Sequence, residues 1–515
     1  MKRKKLFLGL ILFILVCIST ITLIKYISYN NCKILFKKIG KEDTQYENNL
    51  IDLTNYMYKH NPLELGISQN DLSYIYSVTD KNSFLNNNNK IELDKRDAIS
   101  DINFLFNLFK YSYAGYSYFG GDTVFENSKE SIIKAIKAYP GEKISSIEVE
   151  NILKLNTIFI QDGHFAINGH ILLDSYLYYS NDDISVYKSS SSYYLIENSE
   201  RFNIKSINDD TDVGSYLKLS INSKGQLCYN IGILNKLNFS TKIKVTLQSK
   251  GEEIIKYIDL QKNSSKISYD DKSGYKYFIK NRIPILTMGR MYDADINDKS
   301  TELFAKSAME LKDEGIIVID IRGNSGGNDV PGINWFKNFT GEVPQVERTS
   351  IQLCSLINNY VTKLAAKNIN YEKLPEELKK EYKEEIEKAN IGTNKWYISK
   401  NEEKTHKNNT IIFALIDNKV ASSGEEFLNY LRTLEKVILV GTNTSGVFIS
   451  NGYVKSELPN SGIDVSFGNT ISLNKYSSEG KGFQPDIWVN NADSLDRVLS
   501  LISKLRISTD MFNNI

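Results

Sequence analysis

The chain has 515 residues, enough for about three domains, and its 41% hydrophobic and 24% charged residues are ordinary for a globular protein. Its formal net charge is +1, so no overall electrostatic field favours nucleic acid or an anionic surface. We therefore expect no nucleic-acid partner. The four cysteines match neither the spacing of a zinc site nor a disulfide framework, and no special role is expected for them.

The N-terminus carries a membrane signal. After the basic opening MKRKK, an uncharged and mostly apolar run extends from Leu6 to Ile24 and ends at Lys25. A helix over this run spans roughly 28 Å, close to the thickness of the hydrocarbon layer, and no small-residue cleavage site follows it. The pattern favours an uncleaved anchor in residues 1–26 over a cleaved signal peptide. The positive-inside rule then places the remainder of the chain outside the cytoplasm, with the membrane as a partner of the N-terminal segment.

Residues 27–167 have the pattern of a helical region. Apolar residues recur at three- and four-residue spacing in the segments 97–113 and 128–139, and Asp101 and Ser128 are plausible N-caps. Residues 168–275 are instead rich in β-branched and aromatic residues, with glycine and Asn/Asp punctuation, which predicts a β-rich module.

From residue 276 to residue 500 the pattern alternates between strands and helices. The apolar runs 315–323, 409–417 and 436–441 predict buried strands, and the amphipathic segments 301–315 and 423–435 predict helices between them. This alternation is typical of an α/β domain with a largely parallel sheet. We expect a helical insert at 350–408, whose charged pattern lies at 373–389, and a C-terminal tail at 501–515.

A glycine-rich turn follows the first of these buried strands. In VIDIRGNSGGND, 318–329, the strand ends at Asp320 and Arg322, and the turn contains Gly326 and Gly327. Glycine allows a sharp turn and lets a substrate approach backbone N–H groups closely. A tight turn without further function is the alternative, because the lysine of a phosphate-binding loop does not follow.

Two further segments contain candidate reactive side chains. In LIDNKVASSGEEFLNYL, 415–431, Ser422 lies between a strand and a helix, where the helix N-terminus favours developing negative charge. Ser422 and Glu425 also fit a helix capping box, so the segment alone leaves both interpretations open. In IFIQDGHFAING, 158–169, His164 follows a glycine turn, and a purely structural histidine is the alternative there.

Together these segments resemble the carboxyl-terminal processing and tricorn-type serine peptidase family, the tail-specific protease superfamily. DIRGNSGG is similar to the family's D-L-R-x-N-x-G-G segment, and VASSGEEF to its nucleophile segment. GTNTSG at 441–446 resembles G-x-x-T-x-G, and EGKGFQPDIWV at 479–489 resembles the closing G-x-G-x-x-P-D segment. QDGHF at 161–165 resembles the D-G-H segment of the tricorn-like branch. The five segments occur in the family's order.

The resemblance implies roles for particular residues. Ser422, three residues before Glu425, matches the nucleophile. The backbone N–H of Ser423 would be one donor to the oxyanion, and the other would come from the turn at Gly326 and Gly327. A lost oxyanion donor costs roughly 10²–10³ in rate in a well-studied serine protease, so these donors matter.

The same resemblance points to a histidine base. The processing branch has a lysine after G-x-x-T-x-G, but this chain has Val447 there, and neither Lys455 nor Lys475 matches that position. His164 matches the D-G-H histidine of the tricorn-like branch, and Glu479 matches its later carboxylate, which would orient the imidazole. A lysine base remains the alternative. Where tricorn-like members can have a serine before this histidine, the present chain has a glycine, so a relay through that side chain is absent.

The resemblance implies an α/β fold with a crotonase-like (ClpP/crotonase) core at 276–500. The β-rich module at 168–275 occupies the place of a PDZ domain, and a degenerate PDZ-like module is one reading, since no G-L-G-F loop is present. The implied reaction is hydrolysis of protein or peptide substrates through an acyl-enzyme, with no metal and no organic cofactor. Two alternatives remain, an inactive homologue that binds a peptide or lipophilic ligand at the cell surface, and a cell-envelope scaffold. The sequence carries no indication of oligomeric state.

Overall fold

The computed structural model describes a large part of the chain, in segments separated by gaps. The described residues are 30–40, 51–59, 67–80, 90–190, 192–236, 241–262, 274–368, 395–490 and 493–505, with a few helical positions between 376 and 387. The predicted membrane anchor at 1–26 and most of the charged pattern at 373–389 lie outside them. Within the described segments, no helix combines the length and the apolar character needed to cross a bilayer.

The N-terminal region is mostly helical and ends in two short strands. Its elements are α1 (Gln69–Asp80), β1 (Glu92–Asp94), α2 (Lys95–Ser112), α3 (Gly121–Ala138), β2 (Lys143–Ser145), α4 (Ser146–Thr157), β3 (Ala166–Ile167) and β4 (His170–Ile171). Ser145 caps α4 by accepting a hydrogen bond from the backbone N–H of Glu148 (3.3 Å).

Neither N-cap expected from the sequence in this region is correct. Asp101 lies inside α2, where its buried carboxylate accepts hydrogen bonds from the backbone N–H groups of Asn460 (3.0 Å) and Ser461 (2.7 Å). Ser128 lies inside α3 and donates its hydroxyl hydrogen to the carbonyl oxygen of Asn156 (2.7 Å). Both side chains make tertiary contacts, and the helices begin earlier than their positions suggest.

The β-rich module is an antiparallel sheet. Its strands are β5 (Tyr176–Lys188), β6 (Tyr193–Glu197), β7 (Glu200–Ile207), β8 (Leu217–Ile221), β9 (Leu227–Lys236), β10 (Lys242–Ser249), β11 (Glu252–Asp259) and β12 (Gln261–Lys262). They are ordered β11-β10-β7-β6-β5-β9-β8, and β12 pairs with β5. The described part of the module contains one short 3₁₀ helix, Val213–Tyr216, and no α-helix. The PDZ-like interpretation stays a prediction.

The C-terminal half contains the predicted alternation of strands and helices. Its elements are β13 (Tyr275–Lys280), β14 (Ile283–Met288), α5 (Ser300–Leu311), β15 (Ile316–Asp320), α6 (Val330–Thr340), β16 (Arg348–Cys354), α7 (Leu356–Asn368), β17 (Lys395–Asn401), β18 (Ile411–Ile416), α8 (Ser423–Arg432), β19 (Val437–Gly441), β20 (Ser450–Glu457), β21 (Asp464–Asn474), β22 (Ile487–Trp488) and α9 (Ser494–Lys504). A mixed α/β architecture is therefore confirmed. The last helix continues past residue 500, where the sequence suggested the start of a tail.

The main sheet has the order β13-β14-β15-β18-β19-β22, and its strands from β14 onward are parallel. Helices α5, α6 and α8 pack on one face, where Ile317 and Ile319 point, and α9 packs on the other face with Val318. Burial of both faces explains the continuous apolar runs of these strands. Because the central strands are parallel, the turns after β15 and β18 meet at the same edge of the sheet.

A second sheet carries the histidine segment to that edge. Its order is β17-β16-β21-β3-β4, and β20 pairs with β21. Strands β16 and β17 belong to this sheet, so the segment 350–408 is not only a helical insert. Strand β3, two residues after His164, pairs with β21 through Ala166 and Ile167. The helical N-terminal region packs on the same sheet, with Phe109 against Phe165 and Phe467.

Candidate active site

Ser422 lies in a strained turn between β18 and α8. Its backbone angles are φ 50° and ψ −122°, a left-handed conformation that is uncommon for a residue other than glycine. Ser422 and Glu425 also form the capping box that the sequence allows, in which the N–H of Ser422 donates to Glu425 Oε2 (3.2 Å). A strained backbone of this kind is concentrated at functional sites, so the turn is a candidate for the nucleophile as well as a helix cap.

The hydroxyl of Ser422 faces the imidazole of His164. Ser422 Oγ and His164 Nε2 are 3.4 Å apart, at the outer limit of a hydrogen bond. Burial lowers the pKa of His164 below its usual value of 6.5, although the nearby carboxylates of Asp162 and Asp329 act in the opposite direction. A neutral imidazole with a free Nε2 lone pair can accept a proton, so the geometry and the pKa both fit a general base.

Glu479 reaches the histidine turn through the backbone and not through the imidazole ring. Its Oε1 accepts a hydrogen bond from the N–H of Gly163 (2.6 Å), and its Oε2 accepts from the N–H groups of Phe448 (2.8 Å) and Ile449 (2.7 Å). The Nδ1 atom of His164 is buried and has no hydrogen-bond partner among the described residues. The carboxylate thus fixes the position of the residue that precedes His164, without a direct hydrogen bond to its ring.

Asp162, which the sequence analysis did not single out, anchors the other side of this turn. It is fully buried, and its Oδ1 accepts hydrogen bonds from the N–H of His164 (2.8 Å) and the hydroxyl of Ser450 (2.7 Å). Its Oδ2 accepts from the hydroxyl of Tyr113 (2.8 Å), which follows α2. Burial and the neighbouring Asp162 raise the pKa of Glu479 well above its usual range. The carboxyl groups of Glu479 and Asp162 therefore bind consecutive backbone N–H groups of the turn, those of Gly163 and His164.

Gly163 is in close contact with Val447, the position that carries the base in the lysine-containing branch. A Cβ atom added to Gly163 would lie 2.6 Å from Val447 Cγ1 and 2.7 Å from Cγ2. Such distances are too short for carbon atoms, so the valine requires glycine at this place. One packing contact therefore involves both departures from the family patterns. Gly163 stands where a serine could precede His164, and Val447 stands where a lysine could be.

We expect Gly163→Ser to destabilise the protein by about 1–3 kcal/mol through this overpacking. Val447→Ala removes both methyl groups, so the double variant should recover most of that loss. The measurement is chemical denaturation of the two single variants and the double variant. Effects that simply add, without a coupling free energy between the two positions, would contradict the inferred contact.

Glu425 connects the serine turn to the segment that contains Val447. Its buried carboxyl group accepts hydrogen bonds from the hydroxyl of Thr444 (2.5 Å) and from the N–H groups of Gly446 (2.9 Å), Val447 (2.8 Å) and Ser422 (3.2 Å). Burial raises the pKa of Glu425 to about 7, against the effect of these hydrogen bonds. In the sequence this residue only marks the position of Ser422, whereas in the structure its hydrogen bonds join the serine turn to the segment 444–447.

The two glycines of the turn after β15 are not equivalent. Gly326 is buried against Ser422, where a Cβ atom would lie 2.9 Å from the Cβ of the serine, and its N–H donates to Asn324 Oδ1 (2.9 Å). Gly327 is exposed. Across the described segments, neither the N–H of Gly327 nor that of Ser423 has an acceptor. Of the expected oxyanion donors, Gly326 is therefore already occupied, while Ser423 and Gly327 remain available.

The strand ends around these turns are stabilised by buried ion pairs and hydrogen bonds. Arg322 donates to both carboxylate oxygens of Asp320, from Nε (2.8 Å) and from a terminal nitrogen (2.6 Å). Asp417 Oδ1 accepts from the N–H of Gly323 (2.9 Å). These side chains are buried, so their contribution is to the shape of the turn.

Both alternative lysines are engaged elsewhere. Lys455 Nζ lies 3.6 Å from Asp464 Oδ2, and Lys475 Nζ lies 3.0 Å from Glu403 Oε2 and 3.3 Å from Glu347 Oε2. Of the candidate bases considered from the sequence, His164 is the one that faces Ser422 Oγ.

Comparison with known proteins places the serine turn and the glycine turn in one family segment. Residues 282–489 match the model of Peptidase family S41, and no curated protein matches the chain. Among solved structures, mature CPAF complexed with lactacystin is 15% identical, with a TM-score of 0.45 over 82% of this chain and 99% of that chain. The photosystem II D1 C-terminal processing protease is 10% identical, with a TM-score of 0.34 over 81% of this chain and 99% of that chain. A lipoprotein from Streptococcus agalactiae is 13% identical, with a TM-score of 0.36 over 79% and 96%.

All three TM-scores are below 0.5, so the assignment rests on the family model. The matched segment contains Ser422, both turn glycines and Glu479, whereas His164 precedes it. The segment 282–489 is therefore that of a serine-type peptidase similar to peptidase family S41.

Proposed function

We propose that the chain hydrolyses peptide bonds through an acyl-enzyme on Ser422, with His164 as the general base. The observation that supports this most directly is the 3.4 Å separation of Ser422 Oγ and His164 Nε2 at the start of α8. A serine activated by a neutral imidazole is an established arrangement for covalent acyl transfer. The low pKa of the histidine keeps it in its neutral form.

The proposed reaction has two halves. In the first, Ser422 Oγ attacks the carbonyl carbon of the scissile bond while its proton moves to His164 Nε2, and that proton is then given to the leaving amine. In the second, water attacks the acyl carbon and gives a proton to His164 Nε2, which passes it to Ser422 Oγ as the ester bond breaks and the acid product leaves. The negative oxygen in both halves would accept hydrogen bonds from the free N–H groups of Ser423 and Gly327, next to the positive end of α8.

Glu479 and Asp162 act as positioning residues in this proposal. They hold the backbone on both sides of the histidine, which restricts where the ring can move. Such restriction matters, because a displacement of about 1 Å in a reacting group can cost 10²-fold in rate.

We further propose that the catalytic part lies outside the cytoplasm and is held at the membrane by residues 1–26. The support is the sequence pattern of that segment, with its basic start and uncharged run. Protein or peptide segments would be the substrates, without a nucleic-acid partner. We also propose that residues 276–500 form a crotonase-like core and that the β-rich module takes the place of a PDZ domain.

The test is covalent labelling with a fluorophosphonate probe, followed by mass-spectrometric mapping of the modified residue. We expect one label, on Ser422, because the probe reacts with an activated serine and not with ordinary surface hydroxyls. A folded chain that takes up no label, or that is labelled only at other residues, would contradict the proposal. That outcome would instead favour an inactive homologue that binds a peptide or lipophilic ligand.

A further inference from the structure

A cavity of about 220 Å³ lies beside the histidine turn. Its apolar wall is formed by Tyr118, Phe448, Ile449 and Leu473. Tyr118 and Phe448 are partly exposed, so the cavity opens to the surface. The proposed reaction uses none of these four side chains, and the space is large enough to hold a side chain that enters from outside.

The rest of the lining is polar and contains a hydroxyl group without a partner among the described residues. Three serines line it, Ser472, Ser477 and Ser478, together with Asn474. Ser472 is only 3% exposed, and its Oγ has no hydrogen-bond partner within the described part of the chain. A buried polar group without a hydrogen bond is costly, so a guest that offers a donor or an acceptor here gains affinity.

The cavity shares one residue with the catalytic arrangement. Glu479 lines it, and the same carboxyl group holds the N–H of Gly163 directly before His164. Phe448 and Ile449, which form part of the apolar wall, donate their N–H groups to Glu479 as well. A side chain in this cavity would therefore lie next to the turn that carries the base.

The cavity offers no counter-charge to a guest. No lysine or arginine lines it, and the carboxyl oxygens of Glu479 are already occupied by three backbone N–H groups. A buried charge without a partner is strongly unfavourable, which excludes acidic and basic side chains. A purely apolar side chain would fill the space but would leave the Ser472 hydroxyl unpaired.

We propose that this cavity is a substrate-binding pocket for one uncharged side chain that has an apolar stem and a hydrogen-bonding end, such as glutamine. The amide of glutamine both donates and accepts, so it can pair with a serine hydroxyl in either role. Its methylene groups would contact Phe448 and Leu473. This inference rests on the proposed function and names the class of peptide that the site would prefer.

The experiment uses fluorescence-quenched peptides that differ at a single position, which carries glutamine, leucine, glutamate or lysine. The varied position is moved along the peptide around the scissile bond, and kcat/KM is measured with the full chain. At one position we expect glutamine to exceed each of the other three by about tenfold or more, since a site built to form a hydrogen bond rejects analogues that lack it or bring a charge.

Two variants and a matched control connect that preference to the cavity. Ser472→Val removes the unpaired hydroxyl, and Ser478→Leu fills the cavity from a partly exposed position, so both should reduce the glutamine preference to within about twofold of leucine. Ser220→Val also removes a buried hydroxyl without a described partner, but from β8 of the β-rich module, and should keep the preference. Labelling of Ser422 by fluorophosphonate identifies variants that have folded.

Two outcomes would overturn the pocket alone. A labelled wild-type chain that shows no glutamine preference at any position contradicts it, and so does a preference that both pocket variants retain. A folded wild-type chain without any label at Ser422 would instead overturn the proposed function, and the pocket assignment with it.

Discussion

Replacing Ser422 with alanine should reduce peptide hydrolysis by about 10⁴-fold or more and abolish fluorophosphonate labelling. The reason is that alanine lacks the oxygen that forms the acyl-enzyme, while the N–H groups of the turn stay in place. Ser325→Ala is the matched control, because Ser325 is an exposed serine in the glycine-rich turn and has no role in the proposed reaction. The measurement is kcat/KM on a fluorescence-quenched peptide.

The same residue should limit the stability of the protein. Its angles, φ 50° and ψ −122°, are close to those of the first central residue of a type II′ turn, a position that favours glycine. We expect Ser422→Gly to be as inactive as the alanine variant but more stable than it by about 1 kcal/mol, because glycine adopts these angles without strain. Chemical denaturation of the two variants gives this difference.

Two results would contradict these expectations. Retained hydrolysis in Ser422→Ala would show that another group is the nucleophile. Equal stability of the glycine and alanine variants would show that the backbone of the turn is not strained. The unusual angles of Ser422 would then not lower the stability of the protein.

The sequence was sufficient to bring out the candidate site, because its residues lie in short, local patterns. Ser422 stands at a strand-to-helix turn three residues before Glu425, and the glycines follow a fully apolar strand. In a parallel sheet such turns meet at one edge whatever the rest of the chain does. The alternation of strands and helices therefore predicts both the α/β architecture and the approach of the serine turn to the glycine turn.

The supporting contacts could not be found in this way, because each joins segments that are far apart in the chain. Asp162 accepts hydrogen bonds from Tyr113 and Ser450. Nothing in the segment QDGHF distinguishes a buried, hydrogen-bonded aspartate from a solvent-exposed one. The sequence suggested that Glu479 orients the imidazole, whereas its hydrogen bonds go to backbone N–H groups. A match of residue type along the chain indicates which groups come together, but not which atoms of those groups meet.

The contact between Gly163 and Val447 gives the departures from the family's two patterns a common physical cause. Each departure alone looks like the loss of a functional group, namely a relay serine in one case and a lysine base in the other. In the structure the two side chains compete for one space. A chain that places its base on the histidine turn can fill that space with valine, and this packing then fixes the turn.

His164→Ala should reduce kcat/KM by about 10²–10⁴-fold, the usual contribution of a general base. The matched control is His170→Ala. His170 is an exposed histidine on β4, in the hairpin that directly follows His164. If both variants lose activity equally, the hairpin as a whole is affected and the assignment of the base is wrong. If neither does, another group removes the serine proton.

The pH dependence of the wild-type enzyme provides an independent test of the same assignment. The base works only when unprotonated, so activity should rise as the pH increases through the pKa of His164 and then reach a plateau. Because burial lowers this pKa, we expect half of the maximal kcat/KM to be reached below pH 6.5.

Glu425 is another group near Ser422 that titrates in this range, with its pKa raised to about 7. Glu425→Gln removes that titration, so the rise below pH 6.5 should persist in this variant, at a lower overall rate, if His164 is responsible for it. A rise that disappears in Glu425→Gln would assign the pH dependence to the carboxyl group. Since ionised Glu425 is the better acceptor for the N–H groups around the serine, it would then control the geometry of the nucleophile, and the histidine would not be the group that limits the rate at low pH.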